Sequence, residues 1–203
     1  MKLEEILQQE PFRSDAALSE LLCNVHKLRD ALRSLTKEKY ARINPFIESV
    51  FDWKEKGAVI FGKDKNITVY DTCTLVGNVE VGENTWIGPY SALDGTAGIR
   101  IGKNCSISSG VQILTHDTVK WAVSGGKAEY EYAPVEIGDN CFIGTNAVIM
   151  KGVKIGNHCV IGAGAIVTAD VPGFHVASGV PAKIRAKVIV SDDGVSFEPV
   201  GAD

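Results

Sequence analysis

The chain of 203 residues lacks several features that would place it in a class at once. No run reaches the roughly 18 apolar residues that a membrane-spanning helix needs. Residues 1–15 lack the basic-then-apolar pattern of a signal peptide. The five cysteines contain no CxxC pair, which argues against a disulfide framework and against a zinc ribbon. These absences favour a cytoplasmic protein without a membrane span.

An excess of positive charge is also missing. The formal net charge is −4, and a mildly acidic surface does not attract nucleic acid or an anionic membrane. Hydrophobic residues make up 45% of the chain and charged residues 23%, which excludes disorder as the native state. The length predicts one large domain, or one domain with a modest extension.

Glycine is the residue in excess, with 21 copies, and it accompanies a six-residue repeat. An aliphatic residue recurs at a step of six, with a two-residue slip after the fifth position and eighteen extra residues after the eighth. The fourteen positions are Val69, Leu75, Val81, Ile87, Leu93, Ile101, Ile107, Ile113, Ile137, Ile143, Ile149, Ile155, Ile161 and Val167. Glycine follows directly at seven places: Gly82, Gly88, Gly102, Gly138, Gly144, Gly156 and Gly162.

Each hexad predicts one short strand and one turn. The aliphatic side chain and the small or β-branched residue two positions before it point the same way, into a narrow core. Three hexads close a coil of eighteen residues, and stacked coils pair their strands about 4.8 Å apart. The glycines, with Asn or Asp later in the hexad, are expected to serve turns with unusual backbone angles. Cys105, Cys141 and Cys159 share one inward position on successive coils and are predicted to be buried small apolar residues.

These hexads resemble the bacterial transferase hexapeptide family, whose fold is a left-handed parallel β-helix. The resemblance covers residues 59–186 and implies a mainly β protein. Residues 1–50, before the repeat, are predicted to form an N-terminal α-helical extension. Within that extension, the apolar spacing predicts a helix over residues 15–39 with Ser14 as its N-cap. Its apolar stripe suits pairing with neighbouring subunits or docking on the same chain. Residues 187–203 are predicted to form a strand and an acidic tail.

The register gathers the irregular features of the repeat at one edge. With the three faces of the coil labelled a, b and c from Val69 onward, the slip at Ala97 and Gly98 lies at the corner after face b. His116 lies at the same corner one coil later, and the eighteen-residue insertion 117–134 leaves the coil directly after it. Insertions in a solenoid often mark the binding face. Residues 117–134 are therefore predicted to form a lid over His116.

The segments "ILTH", "APVEIGDNCFIGTNAVIMKGVKIGNHCVIGAGAIV" and "SGVPAKI" resemble the xenobiotic, maltose and galactoside O-acetyltransferase branch of the family. The resemblance implies that His116 is the general base and that acetyl-CoA lies in a cleft between two subunits of a homotrimer. Imidazole, with a reference pKa near 6.5, is suited to accept the proton of an attacking hydroxyl. The backbone amide of Thr145 matches the family's donor to the tetrahedral oxyanion.

The same resemblance assigns the contacts of the co-substrate. Seven residues match or border the CoA-binding positions: Phe142, Thr145, Ala163, Thr168, Ala169, Lys183 and Arg185. Thr145 and Ala163 line the pantetheine arm on adjacent coils, and Lys183 is near the 3′-phosphate. Ala169 stands where the family often has Lys.

The acceptor contacts are predicted at the lid corner, from Asp94, Trp121 and Tyr130. Four candidates are open for the group that orients His116, namely Asp94, Glu129, Glu131 or a backbone carbonyl.

Two reactions agree with these residues: O-acetylation of a sugar, such as a precursor of surface polysaccharide, and N-acetylation of an amino sugar. A γ-type carbonic anhydrase would need three histidines around zinc, and the four histidines here are far apart in sequence, so no metal site is predicted. A scaffold without catalytic activity is the remaining class. It would predict no CoA binding and no effect of losing His116.

Overall fold

The structure is a computed structural model that describes residues 3–41, 45–46, 48, 50 and 53–201. The chain forms two compact units, residues 1–52 and 53–203. The first contains helices α1 (Leu3–Leu7) and α2 (Ala16–Tyr40), and the second contains α3 (Trp53–Phe61), a 3-10 turn (Lys63–Lys65) and α4 (Val119–Val123). Within the described ranges, no helix has both the length and the apolar character that crossing a membrane requires.

Helix α2 confirms the predicted helix of the N-terminal extension, but its cap differs from the prediction. The side chain of Asp15 accepts hydrogen bonds from the amides of Ala17 and Leu18 at 2.9 and 3.1 Å. Ser14 instead donates to the Glu10 carboxylate, so the predicted Ser14 cap was wrong. Leu21, Leu28 and Leu35 of the apolar stripe are exposed. Residues 1–2, 42–44, 47, 49, 51–52 and 202–203, which include parts of the predicted extension and tail, lie outside the described residues.

The second unit is a parallel β-helix, which confirms the predicted mainly β solenoid. Its strands are β1 (Thr68–Val69), β2 (Thr74–Val81), β3 (Trp86–Ile87), β4 (Ala92–Ile101), β5 (Ser106–Ile107), β6 (Gln112–Leu114), β7 (His116–Asp117), β8 (Glu131–Tyr132), β9 (Val135–Ile137), β10 (Phe142–Ile143), β11 (Val148–Ile149), β12 (Lys154–Ile155), β13 (Val160–Ile161), β14 (Ile166–Val167), β15 (His175–Ser178), β16 (Lys183–Ser191) and β17 (Gly194–Pro199).

The three faces have the register that the repeat predicts. Face a is built from β1, β3, β5, β10, β13 and β15 in parallel, with Ile107 beside Ile143 and Ile143 beside Ile161. Face b is built from β6, β11, β14 and the first halves of β2 and β4. Face c is built from β9, β12 and the second halves of β2 and β4. Thirteen of the fourteen aliphatic residues are at most 3% exposed, and Leu75 in the first coil is partly buried. The hexad therefore fixes the core.

The glycines after the aliphatic residues serve a different purpose from the predicted one. None of the seven has a positive φ angle. A Cβ at any of these glycines would lie 2.2–2.9 Å from atoms of the next coil, so their role is close approach between stacked turns. The left-handed conformation occurs two residues later, for example at Asn140 (φ 59°) and Asn146 (φ 57°), where Asn tolerates it well.

Both ends of the solenoid carry elements that the repeat did not predict. Helix α3 covers the first coil, with Trp53 stacked on Tyr70 at 4.6 Å and Phe61 packed on the core. The β-helix therefore begins at Thr68, later than the predicted residue 59. At the other end, β15, β16 and β17 form antiparallel pairs, so the predicted terminal strand at residues 187–190 is part of a longer hairpin.

Candidate active site at the lid corner

The corner between faces b and c is shaped by the two extra residues in β4. The register between β2 and β4 shifts here, because Gly77 pairs with Gly95 whereas Val79 pairs with Ile99. Thr115, which is fully buried, fixes this bulge from the next coil. Its hydroxyl donates to the Asp94 carbonyl oxygen at 2.6 Å and accepts from the Ala97 amide at 2.9 Å. The predicted bulge is confirmed, and it is rigidly hydrogen-bonded.

His116 and Asp94 form a close pair at this corner. His116 Nδ1 lies 2.7 Å from Asp94 Oδ2, and the two side chains are 31% and 19% exposed. Nδ1 is shielded from solvent and has no other polar partner among the described residues, although its N–H is not aimed straight at the carboxylate. The other Asp94 oxygen accepts from the amide and hydroxyl of Thr96. Burial opposes ionisation, yet the Thr96 hydrogen bonds and the His116 ring hold the pKa of Asp94 below its ordinary value.

The insertion 117–134, which we call the lid, returns to the coil beside His116. Strands β7 and β8 pair antiparallel at its base, with His116 opposite Tyr132. The rings of these two residues stack with centroids 5.8 Å apart. Tyr132 in turn contacts Tyr130 at 6.5 Å, and Tyr130 meets Trp121 of α4 edge-on at 5.7 Å. Three lid rings therefore lead outward from the imidazole, and Trp121 and Tyr130 remain more than 40% exposed.

Charged side chains hold the two strands of the lid base together. Lys151, on the next coil, places Nζ 3.0 Å from Asp117 Oδ2 and 3.2 Å from Glu131 Oε2. Glu131 is bound by Lys120 as well. The pKa of Glu131 is lowered by hydrogen bonds from Lys120, the larger effect, and from Lys151. The pKa of Asp117 is lowered by the Val119 amide, the larger effect, and by Lys151. Asp117 and then Glu131 raise the pKa of Lys151. All three groups are therefore charged at neutral pH.

Of the four candidates for the group that orients His116, Asp94 is the one in contact with the imidazole. Glu131 is engaged by the two lysines instead. Asp94 contacts His116, whereas Tyr130 and Trp121 are connected to His116 through Tyr132. Their contacts with an acceptor stay a prediction.

The predicted cofactor residues lie in several places, and three of them, Phe142, Thr145 and Ala163, lie on or directly after face a, away from His116. Thr145 and Ala163 follow face a at the corner between faces a and b, on adjacent coils, with the Gly164 amide donating to the Thr145 carbonyl at 2.8 Å. The Thr145 amide donates to no other described residue, so it is available to a ligand. Phe142 is outward-facing on face a and 44% exposed.

The remaining cofactor candidates lie toward the last coil. Thr168 and Ala169 follow β14 at the end of face b and are exposed. Lys183 and Arg185 are exposed on β16, directly after a loop in which the Ala182 amide donates to the Ile166 carbonyl at 2.8 Å. Lys183 pairs with Ser178, which lies against Gly162 beside Ala163, so Lys183 is near the Thr145 corner, whereas Thr168 and Ala169 lie at the corner after face b.

A groove of about 220 Å³ borders the lid corner, lined in part by Ala97, Gly98 and Pro134. Larger grooves, of about 540 and 740 Å³, run along face c and its edge without touching His116. In the described part of the chain, no three His, Cys, Asp or Glu side chains are grouped as for a metal ion.

Three residues of this corner were not singled out from the sequence, namely Thr96, Thr115 and Lys151. By the register of face b, Thr115 aligns with Gly95 and Lys151, so the repeat carries no signal for its buried side chain. Lys151 carried none, because its partners belong to a loop without any period.

The β-helix is the part of the chain that is similar to known proteins. A family model described as the hexapeptide repeat of succinyl-transferase matches residues 78–115 and 134–169. Protein CapG of Staphylococcus aureus is 50% identical over 86 residues, which are 42% of this chain and 50% of CapG. Galactoside O-acetyltransferase of Escherichia coli K12 is 35% identical over 138 residues, covering 58% of this chain and 68% of that protein.

A solved structure is similar over the same region. It is a point mutant of AntD, an N-acyltransferase from Bacillus cereus, in complex with dTDP and coenzyme A. The identity is 25% and the TM-score 0.54, with 58% of this chain and 68% of that chain covered. The present chain spans half of the length of CapG and about two thirds of that of the galactoside enzyme.

Proposed function

The chain belongs to the family of hexapeptide-repeat acyltransferases, and from this premise we propose that it is an acetyl-CoA-dependent acetyltransferase acting on a hydroxyl group of a sugar. The observation that carries the proposal is the His116–Asp94 pair at the base of an aromatic lid. A histidine held by a carboxylate beside a loop that can cover a substrate is the arrangement that general-base catalysis requires.

The proposed reaction uses His116 as the base. A proton on Nδ1, beside the Asp94 carboxylate, leaves the lone pair of Nε2 free to take the proton of the acceptor hydroxyl. The hydroxyl oxygen attacks the thioester carbonyl, and the Thr145 amide donates to the resulting oxyanion. The carbon–sulfur bond then breaks, and the proton passes from His116 to the departing CoA thiolate. The products are an acetyl ester and CoA.

The residues predicted for acetyl-CoA suit that ligand. The free Thr145 amide and the small Ala163 side chain on the adjacent coil leave room along the corner for a thin pantetheine arm. Lys183 and Arg185 supply exposed positive charge for phosphate groups. The AntD structure, which contains coenzyme A, supports the same class of ligand.

We propose that the working site is shared between subunits of a homotrimer in the cytoplasm. The base and the proposed oxyanion donor lie at different corners of one chain, so a second copy is needed to bring His116 of one subunit to the Thr145 corner of another. The acceptor that we favour is a sugar, as for the galactoside enzyme, with surface polysaccharide precursors as the first candidates.

The test measures the release of CoA thiol from acetyl-CoA in the presence of an acceptor. It compares wild type, His116→Ala and His158→Asn, with glycosides, nucleotide sugars and amino sugars as acceptors. His158 lies at another corner in a left-handed conformation that Asn occupies at equivalent positions, so His158→Asn is the matched control. His116→Ala should lose about 10²–10⁴-fold in kcat while CoA binding, measured by calorimetry, is retained.

Other outcomes name other functions. An amine acceptor with a rate independent of His116 would indicate N-acetylation of an amino sugar, the activity type of AntD. Absence of both CoA binding and transfer would contradict the proposal and leave a scaffold.

A further inference from the structure

We propose that Lys151 is a positioning residue for the general base, because it holds the lid base closed over His116. This inference rests on the function proposed above. Lys151 belongs to the turn after β11, one coil above His116, and contacts neither the imidazole nor Asp94. It acts through the two lid strands.

The ammonium of Lys151 bridges the two strands of the lid base. Its partners, Asp117 on β7 and Glu131 on β8, form one of the two residue pairs that connect these strands. Strands of two residues have little stability by themselves. A cation that binds both carboxylates also removes the repulsion between like charges placed opposite each other on adjacent strands. Lys151 therefore ties the exit and the return of the lid to the solenoid.

The geometry of His116 depends on this closure. Asp117 is the residue after His116, and Glu131 is the residue before Tyr132. Tyr132 stacks on the imidazole at 5.8 Å, while Asp94 lies 2.7 Å from Nδ1. Separation of β7 from β8 would remove Tyr132 from the ring and release the backbone that carries His116.

The side chain of Lys151 is less exposed to solvent than is usual for a surface lysine, as a bridging role requires. Its side chain is 23% exposed, compared with 63% for Lys154, which pairs with Glu136 at 3.3 Å on face c. Of the two carboxylates, Lys120 forms an ion pair with Glu131 alone, and it is 66% exposed, so it does not bridge the two strands. Lys154→Met is thus a matched control, because it removes the same ion from the same coil away from the lid.

The first experiment is hydrogen–deuterium exchange of the full chain, without any acceptor. In Lys151→Met, amides of residues 115–118 and 130–133 should exchange about tenfold faster than in wild type, since the open lid base becomes populated. Lys151→Arg should restore protection, and Lys154→Met should leave these amides unchanged. Unchanged exchange in Lys151→Met would overturn the proposal.

The second experiment is kinetic. Lys151→Met should lower kcat about tenfold, as a small misplacement of a catalytic group does, with an unchanged KM for acetyl-CoA. In an Asp117→Asn/Glu131→Gln background, Lys151→Met should have no further effect, because its partners are already neutral. A wild-type kcat in a variant with a loosened lid base would overturn the positioning role.

His116→Ala, measured in parallel, separates the two proposals. Activity that does not depend on His116 would contradict the proposed function, whereas the exchange result is independent of turnover and bears on the Lys151 bridge alone.

Discussion

At the scale of single residues, His116 lies between a carboxylate of the solenoid and an aromatic ring of the lid. The Asp94 carboxylate accepts a hydrogen bond from the Thr96 amide, and the Asp94 carbonyl oxygen accepts one from the Thr115 hydroxyl. This arrangement leaves the imidazole few alternatives in orientation. Two substitutions test separately whether catalysis depends on the Asp94 carboxylate and on the Thr115 hydroxyl that supports it.

The Asp94→Asn variant keeps an acceptor for Thr96 but removes the negative charge beside Nδ1. We expect kcat to fall about 10–100-fold, part of the contribution of a general base, because the imidazole is no longer held in one protonation form. Steady-state kinetics of CoA release measures this loss. A kcat within twofold of wild type would contradict the orienting role.

The pKa of Asp94 gives this substitution a defined pH dependence. Because the folded-state pKa lies below the ordinary value of 3.8, the ionised carboxylate stabilises the folded protein above pH 3.8, and this stabilisation is lost as the pH falls through the lower folded value. Asp94→Asn should therefore be less stable than wild type from pH 5 to 7, with a difference that shrinks below pH 3.8. Urea unfolding at several pH values measures it, and a constant difference would contradict the assignment.

The Thr115→Val variant tests the support of the bulge. Valine leaves the Asp94 carbonyl and the Ala97 amide unpaired, and each buried unpaired group costs about 1–3 kcal/mol of the free energy of unfolding. Thr85→Val is the control, because Thr85 is equally buried and makes the same two kinds of bond to Gly102 and Cys105 at another corner. Both variants should lose stability in urea, but only Thr115→Val should lose kcat. An equal loss of kcat in both would mean that stability alone explains the effect.

At the scale of elements, the lid is an irregular loop that is joined to a regular solenoid at its base. The base consists of β7 and β8, two strands of two residues each. Contacts between aromatic rings and the ion pair between Lys120 and Glu131 connect α4 to β8. Trp121 and Tyr130 are each more than 40% exposed, so their rings offer an apolar platform on the lid of the kind that sugar rings stack on.

Trp121→Ala tests the platform. We expect the KM of the sugar acceptor to rise about three- to tenfold with little change in kcat, because a stacking contact of about 0.5–1.5 kcal/mol is lost far from the reacting atoms. Val123→Ala on the same helix, where Val123 is 85% exposed, should have no effect. An unchanged KM in Trp121→Ala would remove this residue from the acceptor site.

At the scale of the whole molecule, the stacked coils place chemically important residues at separate corners. The base is at the corner between faces b and c, and the proposed oxyanion donor is between faces a and b. A rigid solenoid cannot fold these corners onto each other. The proposed activity therefore requires association of copies, and the site would be heterologous, with different corners of two chains in contact.

Subunit mixing tests this requirement. His116→Ala and Ala163→Trp, which fills the pantetheine position, should each be inactive. After exchange of subunits at equal amounts, random pairing should restore about one quarter of the sites, because one chain supplies His116 and its neighbour supplies the open corner. No recovery after complete exchange, verified by mass spectrometry of the trimers, would indicate that each chain contains its own site.

The sequence by itself determined the coil and the position of its irregular features. A fixed step of six with one apolar residue per hexad has one compact solution, and the buried positions and the strand register of all three faces followed from it. The two-residue slip, His116 and the insertion had to share a corner, because positions on a solenoid follow from residue counts. The residue-level resemblance added the proposed role of His116.

Only the tertiary structure decided which side chains meet. Backbone register pairs Asp94 with Leu114, two residues before His116, so counting does not reveal the contact that the bulge and Thr115 create. The bridge from Lys151 to the lid depends on how residues without a period return to the coil. The glycines after the aliphatic residues allow close approach between coils. Backbone propensities do not predict the distance between neighbouring coils, so this role became visible only in the structure. A periodic pattern fixes where backbones run, whereas contacts in a site depend on side-chain directions and loop closure, which are set by packing in three dimensions.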